Sequence, residues 1–221
     1  MKQIIDITYP IYEGMPTFGA PWHPLVSITQ MGRHGFEGRE TRKITLGTHT
    51  GTQIDAPLHF VSGGKSIDKI PLGTFFGEVS IIDFSHLSEN EMVTVEHLKK
   101  RPLKKRIIFK FGRHKYWDTK FYYKNYPYFS KEAAEFLTDQ KVKLIGMDTP
   151  SPDDSRIILT GDVIGSANDS PIHKIFLRNN IILIEYLNLK LVKDFVGWNL
   201  AALPLKIKGA DGSPARVCLF K

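Results

Sequence analysis

Hydrophobic and polar residues alternate in several short stretches of the chain, among them "QIIDITYPI" (3–11) and "RKITLGTH" (42–49). Alternation places every second side chain on one face, so these stretches are predicted as half-buried strands. "GEVSIIDF" (77–84), "KRIIFKFG" (105–112) and "VKLIGMD" (142–148) are predicted strands as well. "IILIEYL" (181–187) is more continuously apolar, as a strand covered on both faces is. "LAALPLKI" (200–207) and "ARVCLF" (215–220) are predicted to close the chain around the turn "GADGSP" (209–214). A period near 3.6 marks "FSKEAAEFLTDQ" (129–140) as a helix, with Ser130 as its cap, Glu132 in the first turn and Ala133, Phe136 and Leu137 on one face. "TVEHLKKR" (94–101) is predicted as a short helix capped by Thr94 and stopped by Pro102. "SPIHKIFLRNN" (170–180) is predicted as another, with Ser170 as cap and Pro171 in the first helical position. "YEGMPTFGAPWHP" (12–24) carries three prolines and two glycines and is predicted to be an irregular loop.

Strands outnumber helices and several strand–helix–strand units occur. The fold class is therefore α/β, with a mixed sheet flanked by a few helices. The 221 residues suffice for one domain, 1–221, with a sizeable core, and no composition shift marks an internal boundary. No apolar run approaches the ~20 residues that span a bilayer, and the N-terminus lacks a signal peptide's apolar stretch. A cytoplasmic protein with no membrane partner is expected. The net charge of +7 raises the question of a polyanionic partner. Its densest basic group, "KKRPLKKR" (99–106), sits at a helix end and a strand start, where a solvated face explains it, so no nucleic-acid partner is expected. "YWDTKFYYKNYPYF" (116–129) mixes aromatics with lysines, but Asp118 and Pro127 interrupt it.

The single cysteine, Cys218, excludes an internal disulfide and a thiolate zinc cluster. A metal would have to sit on His, Asp and Glu. "HTGTQIDAPLH" (49–59) places His49, Asp55 and His59 on a glycine-flanked segment able to bend tightly, and imidazole with carboxylate suits zinc or manganese. Turn and capping roles are the alternative for these residues. Glu185 lies inside an otherwise apolar run, where a carboxylate is costly to bury unless paired or metal-bound. His173 lies in the first turn of the preceding helix and can meet Glu185 if helix and strand cross. Phe18 and Trp22 in the proline-rich loop, and Phe60 after the motif, either pack on the core or contact a substrate.

"HTGTQIDAPLHF" resembles the signature H-x-G-T-H-x-D-x-P-x-H of the cyclase family, which includes kynurenine formamidases and isatin hydrolases. The resemblance extends over essentially the whole chain. "IIDITYPIYEGMP", "SIDKIPL", "YFSKEAAEFL", "LIGMDTPS", "LPLKIKGADGSPARV" and the pair His173/Glu185 follow in family order. It implies a central barrel-like sheet, a homodimer or higher homo-oligomer, and metal-dependent hydrolysis of a small amide. It further implies that His49 and Asp55 bind metal, that Asp55 bridges two ions, that His173 and Glu185 complete the ligands of the second ion, and that His59 is a catalytic acid/base rather than a ligand.

Gln53 departs from the pattern, which has histidine there as a ligand of the first metal. A neutral amide oxygen is a poorer ligand than imidazole, so Gln53 is expected to be weak or no ligand at all. One tightly bound divalent ion, zinc or manganese, is expected, with the second weak or absent. The expected substrate is a small N-formyl aryl amine or cyclic amide, attacked by activated water. Two other readings stay open: cyclisation or dehydration of a small carbonyl compound on the same site, and a binding protein whose catalysis Gln53 has weakened.

Overall fold

The computed structural model describes residues 3–20, 22–158, 164, 166 and 168–221. Its strands are β1 (Ile4–Asp6), β2 (Ser27–Gly32), β3 (Thr41–Thr45), β4 (Gln53–Asp55), β5 (Phe76–Glu78), β6 (Ser80–Asp83), β7 (Met92–Val93), β8 (Arg106–Lys110), β9 (Tyr128–Phe129), β10 (Leu144–Met147), β11 (Ile182–Glu185), β12 (Asn199–Pro204) and β13 (Gly212–Phe220). Its α-helices are α1 (Val95–Leu98), α2 (Lys131–Asp139), α3 (Ser155–Ile158) and α4 (Pro171–Arg178). The main sheet runs β5-β12-β13-β4-β11-β10-β8-β6, with β1 beside β13. In this sheet β6, β8, β10 and β11 pair in parallel and its other pairs are antiparallel, while β7 and β9 form a separate parallel pair. β5 and β6 lie at opposite ends of this order, yet only Val79 separates them in the chain. The sheet therefore curls until its ends nearly meet. The result is a mixed α/β fold on a nearly closed, barrel-like sheet, as the family resemblance implies.

Period-2 alternation assigns each strand residue to the inside or the outside of this barrel. Ile54, Ile108, Leu144, Ile182, Ile184 and Val217 point inward and form one core. Ile107, Phe109, Ile145, Met147 and Leu183 point outward, against Ala133 and Leu137 of α2 and Phe176 and Leu177 of α4. Fully burying such a side chain stabilises by about 1.5–3 kcal/mol. That outweighs the ~1 kcal/mol of a helix cap such as Ser130, whose Oγ accepts from Ala133 N at 3.0 Å. Packing on the sheet, more than local propensity, holds α2 in place.

Several predicted elements differ in detail. The stretch 77–84 is two strands rather than one, because the chain passes at Val79 from one end of the sheet to the other. β3 is exposed along its whole length rather than half-buried. It pairs with β2, which the pattern does not predict, in a two-stranded sheet separate from the barrel. β13 begins at Gly212, inside the predicted turn, because pairing with β4 continues to that residue. Thr94 does cap α1, in a reciprocal box with His97. The aromatic stretch 116–129 supplies packing: Tyr122 and Tyr126 are buried, and Trp117 stacks on Tyr9 with ring centres 3.8 Å apart.

Candidate metal centre

The site follows from strand register. In β4, Ile54 faces the barrel interior, so Gln53 and Asp55 face outward. In β11, Ile184 faces inward, so Leu183 and Glu185 face outward. The antiparallel register sets Gln53 opposite Glu185 and Asp55 opposite Leu183. Three polar side chains thus share one patch of the outer face, beside the first turn of α4, which carries His173. The turn before β4 is closed by Thr50, whose Oγ accepts from Gly47 N at 3.1 Å and donates to Gly47 O at 3.0 Å. Gly51 takes φ +62°, a conformation that suits glycine. His49 is thereby turned back over β4. Its ring lies against Gly212, where a Cβ would come within 2.8 Å of His49 Cε1 and of Ile54 O.

His173, Asp55 and Glu185 meet. His173 Nε2 is 3.1 Å from Glu185 Oε1 and 3.6 Å from Asp55 Oδ2. Ligand atoms from these three residues lie within 4.8 Å of one another, and so do atoms from His49, Asp55 and His59. His49 is engaged at both ring nitrogens: Nδ1 is 2.9 Å from Asp55 Oδ1, and Nε2 is 2.8 Å from Asp211 Oδ2. His59 stacks on His49 at 3.8 Å between ring centres, with Nδ1 3.0 Å from the same Asp211 oxygen. Gln53 turns its amide nitrogen to the ligand atoms. Nε2 donates to Glu185 Oε2 at 3.0 Å and lies 3.3 Å from His49 Nδ1.

Two acidic partners escape sequence reading. Asp153 accepts from Ile172 N at 2.6 Å and His173 N at 3.1 Å, and lies 2.6 Å from His173 Nδ1. It caps α4 across space. The expected cap, Ser170, sits at φ +48° and makes no side-chain cap bond. A carboxylate at Nδ1 also leaves Nε2 as the ligating nitrogen, the arrangement common around metal-bound histidine. Asp211, in the segment predicted as a plain turn, is the second. Neither has a local signal: Asp153 and Asp211 are set beside their histidines only by tertiary contacts.

The electrostatics suit a cation. Burial, then the neighbouring charge of Asp55, pushes Glu185 up to about 7. Burial also works against the Asp55 carboxylate, but His49 and His173 hold it well below the usual range. For His49, burial is outweighed by Asp55 and Asp211, which raise it to about 10. Burial keeps His59 below its ordinary value despite Asp211. Asp55 Oδ2 and Gln53 Oε1 are buried without a hydrogen-bond partner. An orphaned carboxylate oxygen between an imidazole and a second carboxylate fits a divalent ion, which would satisfy it and offset the repulsion between Asp55 and Glu185.

The patch opens into a cavity of about 240 Å³ lined by Phe18, Trp22, His23, His59, Phe60, His173 and Tyr186, among others. Phe60 lies 4.9 Å from the His173 ring and 4.5 Å from the His59 ring. Trp22 is exposed at the rim. Phe18 meets His23 edge-on at 5.8 Å. The loop aromatics therefore line this cavity.

The family model named Cyclase matches residues 5–154. The chain belongs to the cyclase family. A kynurenine formamidase of Geobacillus thermodenitrificans is 30% identical over 100% of this chain and 99% of its own length. One of Bacillus thuringiensis subsp. konkukian is 31% identical over 97% and 96% respectively. Both are hydrolytic enzymes of the same family. A solved structure titled "The Structure Of Potential Metal-Dependent Hydrolase With Cyclase Activity" is 28% identical, covers 100% of this chain and 98% of its own, and has a TM-score of 0.78. Isatin hydrolase A from Ralstonia solanacearum, at 23% identity and TM-score 0.87 over 99% and 92%, shares the fold. No helix among the described residues is long and apolar enough to cross a membrane.

Proposed function

We propose that this cyclase-family chain hydrolyses a small amide, an N-formyl aryl amine or a cyclic amide, with one tightly held divalent ion, zinc or manganese. The observation that carries this reading is the convergence of Asp55, His173 and Glu185 beneath an aromatic-lined cavity. His173, through Nε2, Asp55 and Glu185 would hold the ion. The bound ion supplies polarisation of the carbonyl and a water that ionises near neutral pH. Phe18, Trp22 and Phe60 hold the aryl group and exclude bulk water. His59 takes the proton of the attacking water at Nε2 and returns it to the nitrogen as the C–N bond breaks.

Gln53 limits the site to one ion. Its NH₂ group stands among Glu185, His49 and Asp55, where it donates hydrogen bonds and offers no lone pair. Metal analysis after dialysis is expected to give one equivalent per chain. Gln53→His is expected to add a second and raise turnover of an N-formyl anilide. Two equivalents in the unaltered protein would reject the one-ion reading. Turnover confined to carbonyl cyclisation or dehydration, with none on formyl anilides or cyclic amides, would reject amide hydrolysis. The same Gln53 geometry supports the alternative of a metal-binding protein with weakened catalysis, which one equivalent of metal and no turnover on any of these substrates would favour.

The proposed enzyme acts as one domain, 1–221, in the cytoplasm and as a homodimer. Leu25, Met31, Phe36 and Ile44, on and around the β2–β3 pair, are exposed apolar side chains that a second copy would cover. An isolated two-stranded pair is marginal in water. Light scattering is expected to give at least twice the 25.1 kDa chain mass; a monomer mass would overturn this.

A further inference from the structure

Asp211 lies far along the chain from the signature, yet one of its carboxylate oxygens meets two signature histidines and the other the threonine just before them. Oδ1 accepts from Thr48 Oγ at 2.9 Å. Oδ2 lies 2.8 Å from His49 Nε2 and 3.0 Å from His59 Nδ1. The backbone fixes the carboxylate in place: Ala56 N donates to Asp211 O at 2.9 Å, and Ile67 N donates to Ala210 O at 2.8 Å. An ionised carboxylate accepts and cannot donate. Each nitrogen facing it must therefore carry hydrogen, and the two imidazoles face it through different nitrogens. His49 meets it through Nε2, and its Nδ1, 2.9 Å from the Asp55 carboxylate, carries hydrogen by the same rule. For His59 the proton is on Nδ1, and no described residue hydrogen-bonds its Nε2.

We propose that Asp211 is a positioning residue that holds the His59 proton on Nδ1, leaving His59 Nε2 free to carry the reaction's proton, and that ties the His49 ring to the same oxygen through Nε2. The catalytic half of this assignment rests on the hydrolysis proposed above; the tautomer half does not. One oxygen thereby orients both a residue of the ligand cluster and the proton carrier. Two stacked rings sharing one acceptor also cannot turn independently.

The test uses the full chain, ¹⁵N-labelled and loaded with zinc. Two-bond ¹H–¹⁵N correlations, with the His59 signals assigned by their loss in His59→Ala, are expected to show neutral His59 protonated at Nδ1. Asp211→Asn replaces an acceptor-only group with one that can donate. It is expected to shift His59 toward the Nε2-protonated form and retain zinc. It should lower kcat on an N-formyl anilide by at least ~10²-fold while KM stays within roughly threefold. A merely structural role would leave the tautomer unmoved. Protonation of His59 at Nε2 in the unaltered protein would overturn the proposal. So would an Asp211→Asn variant with the unaltered tautomer and full kcat. If the unaltered protein hydrolyses no formyl anilide, the substrate reading fails while the nitrogen signals still decide the role of Asp211. If Asp211→Asn does not fold, the signals of the unaltered protein decide it alone.

Discussion

Asp55→Ala is expected to lose the divalent ion and hydrolysis together. Asp55 belongs to both candidate ligand groups, and its two oxygens face different partners, His49 and His173. Removing it leaves His173 and Glu185 as the strong donors of the proposed ion shell. Changing a residue merely behind a ligand typically costs ~10–100-fold in metal affinity; removing a central ligand should cost more. Without the ion, water loses an ionisation that lies near ~7 rather than 15.7, so turnover should fall by ~10³-fold or more. The fold should survive. Asp55 and Glu185 repel one another across a buried patch, and the substitution relieves that repulsion while Ile54 still anchors β4 in the core. Metal content after dialysis, turnover and circular dichroism on the same sample check all three statements. Full metal occupancy in Asp55→Ala would sink the proposed ligand set.

His59→Ala is expected to keep the ion and lose catalysis. His59 stands outside the Asp55/His173/Glu185 group, on the short turn Pro57–His59 that follows β4. Its side chain is 22% exposed, against 7% for His49 and for His173, so it is the imidazole of the three most open to the cavity. A group that moves one proton in the transition state contributes ~10²–10⁴-fold, and kcat should fall by that factor. Added imidazole should restore part of the rate in the space the side chain leaves. Loss of the ion in His59→Ala would instead make His59 a ligand, together with His49 and Asp55. Read together, the two substitutions separate metal binding from proton transfer.

Much of this site is legible in the chain itself, and the limits of that legibility are local. The signature segment shows His49, Asp55 and His59 because one tight turn and one short strand hold them together. Glu185 is visible because a carboxylate in an apolar strand needs a partner. His173 is visible only as a histidine near a helix start; the partner that fixes its ring, Asp153, lies 20 residues away across a connection with no repeating pattern. Ser170 has the right residue type for a cap and the wrong backbone conformation, because Asp153 already satisfies the helix N-terminus. β2 is missed and β3 misjudged as half-buried because alternation reports a two-faced strand, whatever covers its faces.

The sequence by itself determined the α/β class, most strands, the helix α2 and the chemical types able to bind a cation, because periodicity and residue chemistry act over a few neighbouring positions. The tertiary structure decided that β4 and β11 pair in the register that sets Gln53 against Glu185, that the sheet curls into a near-barrel, and that Asp153 and Asp211 stand behind three histidines. Those outcomes depend on which strands become neighbours, and contacts across 20 to 162 residues leave no periodic trace in the segments they join.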